Sequence, residues 1–268
     1  MMSKLLLRGM LIGILAGLVA FGFAHIYGEP QVAQAIALEG EGGHSHGAPA
    51  TPDPASDHEH APGTAAHDHG EAASEDGGEG ISRGTQAGVG LLTGTTAYGM
   101  AIGGILALVF AGVQGRVSHL RPQATIALVA LGGYVALVLV PGLKYPANPP
   151  AVGSGETIGI RTAMYFVMLG FSVAAMVLSV ILARNLSARH GMWNATLYGG
   201  AAYLVLVSIV GLALPRLDEV TGSGFPAQLL WEFRASTFAL QAVIWTVLGI
   251  GFGIAAERLL GQRRAAGI

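Results

Sequence analysis

The chain has 268 residues, 52% of them hydrophobic and only 11% charged, where soluble domains carry about 25% charged residues. That composition excludes an ordinary soluble domain, and the absence of cysteine excludes disulfides, thiolate metal sites and a cysteine nucleophile while leaving the redox compartment open. The formal net charge of −2 says less than where the charges lie.

Six apolar runs are predicted along the chain, at 5–27, 88–111, 124–140, 162–183, 195–214 and 235–256. Several reach about 20 residues, long enough to cross about 30 Å of hydrocarbon. Each must satisfy its own backbone hydrogen bonds in lipid, which makes them helices. The expected fold class is therefore an all-α integral membrane protein of about six transmembrane helices. Its expected parts are a first helix (1–27), an outer loop (28–87) and a five-helix bundle (88–268) with two Pro-rich caps (141–161 and 215–234).

The first run has the basic start of a signal peptide, and Ala33-Gln34-Ala35 mimics a small-residue cleavage site. Its apolar stretch is longer than the usual 7–15 residues. It also carries Gly9, Gly13 and Gly17 at four-residue spacing, a ridge along which another helix can approach. A retained helix is expected, and the similar spacings Gly90/Gly94 and Gly99/Gly103 are read as packing surfaces without chemistry.

The segment 28–87 is a different polymer. It holds Glu29, Glu39, Glu41, Asp53, Asp57, Glu59, Asp68, Glu71, Glu75, Asp76 and Glu79, against the single base Arg83. With few apolar residues after Leu38, a long disordered loop is expected. Three His-X-His pairs lie in it: His44/His46, His58/His60 and His67/His69. Neutral imidazole binds Co(II), Ni(II), Cu(II) and Zn(II). In an extended chain, residues two apart point the same way, so each pair presents two imidazoles together. Asp57, Glu59 and Asp68 supply oxygen donors beside them. Free histidine titrates near pH 6.5, so metal held at about pH 7.5 should be released near pH 5.5. The plain alternative is a polar linker that happens to use histidine. His25 and Glu29, four residues apart and on one helical face, are read either as entry ligands for a metal or as an interfacial pair beside Tyr27.

Orientation follows from the basic residues. Lys4, Arg8, Arg116, Arg121, Arg184, Arg189, Arg258, Arg263 and Arg264 flank one side; Arg83, Lys144, Arg161, Arg216 and Arg234 flank the other. Both termini are therefore expected in the cytoplasm and the His-rich loop outside. His119 and His190, beside cytoplasmic arginines, read as lipid-headgroup contacts.

The two later outer loops share a pattern. Val140-Pro141 and Leu214-Pro215 are expected to end the third and fifth helices; Tyr145-Pro146-Ala147 and Phe225-Pro226-Ala227 follow; Arg161 and Arg234 open the next helices. Shared turn chemistry or an internal repeat explains this equally. Glu156–Arg161 and Glu232–Arg234 read as exposed ion pairs, or Glu156, Asp218, Glu219 or Glu232 as acceptors of a metal from the loop. No Asp, Glu, Lys or Arg falls at mid-membrane, which argues against a simple proton relay. Thr237, Gln241, Ser172 and Ser208 are candidate polar contacts between helices. There is no phosphate-binding G-x-x-x-x-G-K-[ST] loop and no H-E-x-x-H, so an energy source would lie in a partner or an existing gradient, and an enzyme is not expected.

The stretch Leu143-Lys144-Tyr145-Pro146-Ala147-Asn148-Pro149-Pro150, with Gly155-Glu156-Thr157 and Arg161-Thr162, resembles the CbtA family of predicted cobalt transporter subunits. The opening Leu5-Leu6-Leu7-Arg8-Gly9-Met10, Gly28-Glu29-Pro30, and Phe225-Pro226-Ala227 with Leu229-Leu230-Trp231-Glu232-Phe233-Arg234 extend the resemblance over nearly the whole chain outside the His-rich loop. It implies a multi-pass inner (plasma) membrane protein that takes up Co(II) for corrin cofactor synthesis. It also implies a small membrane partner with a His-rich end, CbtB. Family descriptions give five spanning helices, one fewer than the six counted above. On the residues alone, Ni(II) or Zn(II) also fit the loop. No organic cofactor and no nucleic acid is expected; membrane lipid and a divalent metal ion are the expected partners. A metal-binding receptor or sensor that does not conduct is the competing function.

Overall fold

The computed structural model describes residues 2–43, 82–153, 155–217 and 224–265. Helix α1 (Met2–Phe23) runs through a π-helical turn (Ala24–Gly28) into α2 (Glu29–Gly43). The chain returns at a short turn, α3 (Arg83–Thr85), and a second π turn (Gln86–Gly90) leads into α4 (Leu91–Val113). Next come α5 (Pro122–Tyr134), a third π turn (Val135–Leu139) and α6 (Val140–Lys144). Last are α7 (Gly155–Ala213) and α8 (Ala227–Ala265). No strand occurs among the described residues.

Five of these helical stretches are long and apolar enough to span a membrane, and the fourth of them is two spans. A 59-residue helix would be about 88 Å long at 1.5 Å per residue, nearly three hydrocarbon thicknesses. Gly191 breaks it, with φ 75 and ψ 162, a conformation open to glycine because it lacks a Cβ. The limbs fold back on each other. Ser172 and Tyr203 share a buried hydrogen bond of 2.8 Å, and a Cβ on Gly199 would meet Ala183 Cβ at 2.9 Å. Counting this hairpin as two, the chain crosses six times, as expected from its apolar runs.

The helices outlast those runs. The first was expected to stop at residue 27, yet the chain stays helical to Gly43. Pro30 comes just after the π turn at Ala24–Gly28, whose wider winding accommodates the ring and its missing N–H. Val32, Ala35, Ile36 and Glu39 then repeat at helical spacing, and Ala35 is fully buried. The expected loop is thus shortened at both ends, to the residues between Gly43 and Ser82. The third helix likewise passes the expected stop at Val140-Pro141 and ends at Lys144. Pro141 has no N–H for the Leu137 carbonyl four residues back. The widened π turn before it absorbs the clash, and the Tyr165 hydroxyl donates to Leu137 O at 3.5 Å instead.

Helices α1, α4, α5 and α8 form one core. Leu5, Ala16, Leu106, Phe110, Ile126, Ile244, Leu248 and Phe252 fill it, and Phe110 meets Phe252 edge-on at 5.7 Å. The glycine ridge of α1 lies on α4 as its spacing suggested: Cβ atoms on Gly9, Gly13 or Gly17 would come within 3.0 Å of Gly103, Gly99 and Thr95 backbone respectively. The α7 hairpin has its own small core of Tyr145, Met168, Ala175, Tyr203 and Val207. At the basic end, Arg8 donates to Ala255 O at 2.6 Å and Arg184 to Arg116 O at 3.2 Å. The first contact places both helix ends on the same, basic side of the bundle.

Candidate metal-entry site at the outer face

The His-rich segment is rooted at the outer end of the bundle, leaving α2 at Gly43 and returning at Ser82. Its six histidines, His44, His46, His58, His60, His67 and His69, lie outside the described residues, as do Asp218 and Glu219. The roots themselves are well defined. Ser82 caps α3, its hydroxyl accepting from Thr85 N–H at 3.3 Å. Arg83 pairs with the Glu29 carboxylate, joining the base of α2 to the start of the next span. Above this clasp, α2 rises about 22 Å for its 15 residues. Ser236 of α8 steadies it by donating to Gln31 Oε1 at 2.7 Å.

His25 and Glu29 are on the π turn and at the first residue of α2. His25 is exposed and stacks on Phe21, ring centroids 5.6 Å apart. Glu29 is half-buried and engaged by Arg83. A metal claiming Glu29 must therefore displace a guanidinium, exchanging one positive charge for two. Arg83 had a legible signal, as the one base in an acidic tract, but its partner was not legible.

The two Pro-rich caps dock on each other. Lys144 Nζ donates to Leu214 O at 3.0 Å, and the Tyr145 hydroxyl donates to Pro215 O at 2.8 Å. Burial pushes the Tyr145 phenol above its ordinary pKa, so it remains a donor at any physiological pH. Arg234 reaches back to Ala147 O at 3.3 Å and to Asn148 Oδ1 at 2.8 Å. Residues 144–148 thus face Leu214, Pro215 and Arg234. Glu232, expected to pair with Arg234, instead accepts from Gln228 Nε2 at 2.9 Å; four residues apart on one helix, that pair forms without any tertiary contact.

Between α2 and the caps lies a cleft of about 770 Å³, lined by Leu38, Glu39, Asn148 to Gly153, Ile158, Arg161 and Gly224 to Pro226. Its floor is held rigid by prolines 149, 150 and 226, and its polar lining comes from the exposed Glu39 carboxylate, the Asn148 amide and the Arg161 guanidinium. Among the described residues no three His, Asp or Glu come together as a closed metal site. Of the donors that are placed, His25, Glu29 and Glu39 stand singly along one helical stretch, and Glu156 and Glu232 lie on α7 and α8. His119 and His190 are exposed at the opposite, basic end, His190 edge-on to Tyr198 at 5.6 Å.

The family model described as "Probable cobalt transporter subunit (CbtA)" matches residues 2–257. The chain belongs to the CbtA family. No curated protein and no solved structure matches it significantly. Membership makes it a multi-pass inner-membrane protein of a transporter family, and cobalt the family's cargo. This CbtA chain carries, besides the Pro-rich caps that signalled the resemblance, the clasp of Glu29 and Arg83 and the contact of Tyr98 with Gln241 (3.2 Å). Tyr98 gave no sequence signal, being one of two aromatics in an apolar run.

Proposed function

We propose that this CbtA chain mediates Co(II) uptake, with the His-rich segment as an external antenna that captures the ion and passes it to the cleft beside α2. What carries the reading is the rooting of that segment. The six imidazoles belong to the segment between Gly43 and Ser82; Glu39 stands four residues before its start, the Glu29–Arg83 pair stands at its end, and Glu39 lines a cleft with a polar lining. Paired neutral imidazoles take Co(II), and modest affinity with ready exchange is what an antenna requires. Asp57, Glu59 and Asp68 add attraction for cations. Glu29 and His25 are the first donors on rigid backbone below the tether, and Arg83 keeps the Glu29 carboxylate occupied until a dication arrives. The family description as a subunit agrees with a further membrane protein in the complex, and a small CbtB-like chain with its own His-rich end is the partner we assign.

The experiment is Co(II) entry into liposomes containing the purified full chain, followed by an internal metal-quenched dye, with and without the small partner. Entry that saturates with external Co(II) is expected. Cobalt binding by calorimetry with no entry under either condition would replace the uptake reading by a receptor or sensor.

A further inference from the structure

A groove of about 700 Å³ runs between α5 and α8 on the surface of the bundle. It is walled by Ala127 and Leu131 of α5 and by Ile250 and Ile254 of α8, all exposed. Its floor is Ala130, Gly249 and Gly253. A Cβ on Gly249 would stand 3.2 Å from Ala130 Cβ, and one on Gly253 would stand 3.6 Å from Gln123 Cα, so the two helices nearly touch beneath it. From Ala242 to Ile254 the α8 wall is about 18 Å long, at 1.5 Å per residue. Other outward faces carry Leu15, Leu18, Leu204 and Val205, which suit lipid chains. Here alanine and glycine leave room for a further helix backbone to come close.

Two polar groups along this face lack partners. Trp245 lines the groove and is only 6% exposed, and its indole Nε1–H is buried without a hydrogen bond. Glu257 follows Gly249 and Gly253 at four-residue spacing, which puts it on the same face of α8, one turn nearer the basic end. Its Oε2 is likewise buried without a hydrogen bond, and among the described residues its carboxylate forms no ion pair. In sequence it is the one acid of sixteen that stands among the cytoplasmic basic flanks. Leaving such groups unpaired in apolar surroundings is costly, and acyl chains offer them nothing.

We propose that the α5–α8 groove seats a single membrane-spanning helix of another subunit, one with small residues on its seated face and a Lys or Arg at its cytoplasmic end that pairs with Glu257. The inference deepens the proposed function by giving its partner a place, and it rests on the family's description as a subunit. Spanning helices carry Lys and Arg where they leave the membrane on the cytoplasmic side, which is the depth of Glu257. A second copy of this chain fits less well. A two-fold dimer sets one patch against itself, and here that would bring Glu257 against Glu257.

The test uses the full chain co-expressed in membranes with the tagged small partner of the liposome experiment. The photo-crosslinking residue p-benzoylphenylalanine replaces Ile250, Ile254 or, as a lipid-facing control, Leu204. Adducts with the small partner are expected at 250 and 254 and not at 204. Adducts between two copies of the chain overturn the proposal in favour of a dimer, and no protein adduct at 250 and 254 overturns it in favour of lipid. Glu257→Gln is expected to cut the small partner retained through purification by about tenfold, as loss of one member of a buried charge pair should. Glu257→Lys should do the same and be rescued by an acid in place of the basic residue at the inner end of the small partner's span. Unchanged retention with Glu257→Gln overturns the ion pair. The unfolding midpoint of Glu257→Gln without the small partner separates docking from folding. It is expected at or above the native value, since no contact within the chain is lost; a lower midpoint makes Glu257 a structural residue of the bundle and overturns its role in docking. None of these readouts needs cobalt entry, so they stand or fall apart from the uptake reading.

Discussion

Replacing Gly13 by alanine tests the seam on which the bundle is built. A Cβ placed there would stand 2.9 Å from Gly99 C and from Met100 Cα, and closer still to the Gly99 carbonyl oxygen, where ordinary contact begins at 3.4 Å. All of these are backbone atoms, so no side chain can swing aside. The two helices must part by about half an ångström or more, and a gap of that size forfeits roughly a quarter of the dispersion energy along the contact. Overpacking of this kind costs about 1–3 kcal/mol. Against it stands up to about 1 kcal/mol that alanine gains over glycine in helix propensity. Gly22→Ala is the matched control: nothing lies within 4 Å of its Cβ, so the propensity gain alone should show. Unfolding midpoints in detergent would be compared, expecting Gly13→Ala below the native chain and Gly22→Ala at or above it. If the two variants melt alike, the α1–α4 seam is not the close-packed surface described above and the reasoning fails.

Removal of 44–69 should depress Co(II) uptake at scarce metal and leave it intact at high metal; loss at every concentration would move the essential ligands into the tether itself. Tyr145→Phe removes the donor to Pro215 O and should lower stability by about 1 kcal/mol, read as a shift in the unfolding midpoint; no shift would mean the caps do not need each other. Arg234→Lys keeps the charge but cannot reach both Ala147 O and Asn148 Oδ1 from a point-like ammonium, so hydrogen exchange at 147–152 should accelerate with little change in global stability. Arg83→Gln frees Glu29 from a pair worth about 0–1 kcal/mol and should tighten Co(II) binding up to a few-fold by calorimetry; weaker binding would show that Glu29 takes no part.

Much of the site was only half legible. The three His-X-His pairs stand out from composition alone and motivate the proposed metal capture, and Pro-Ala repeats mark two similar caps. That the caps clasp one another, with Arg234 used by Asn148 rather than by its neighbour Glu232, could not be read from spacing. Nor could the clasp of Glu29 to Arg83 across 54 residues, or the meeting of Tyr98 with Gln241 across 143. Helix ends were misjudged for a local reason: hydropathy marks where lipid ends, whereas backbone hydrogen bonding continues into water until a glycine or a capping side chain stops it.

Apolar length, basic flanks and glycine spacing are properties of neighbouring residues, and they determined that the chain spans the membrane, which ends face inward and which faces of the first and second spans can approach. Partner choice belongs to the folded whole. Which glycine meets which, how the limbs of the long helix pack after it doubles back at Gly191, and which polar side chains meet across helices depend on residues far apart in sequence, because only packing brings them within the few ångströms over which dispersion and hydrogen bonds act.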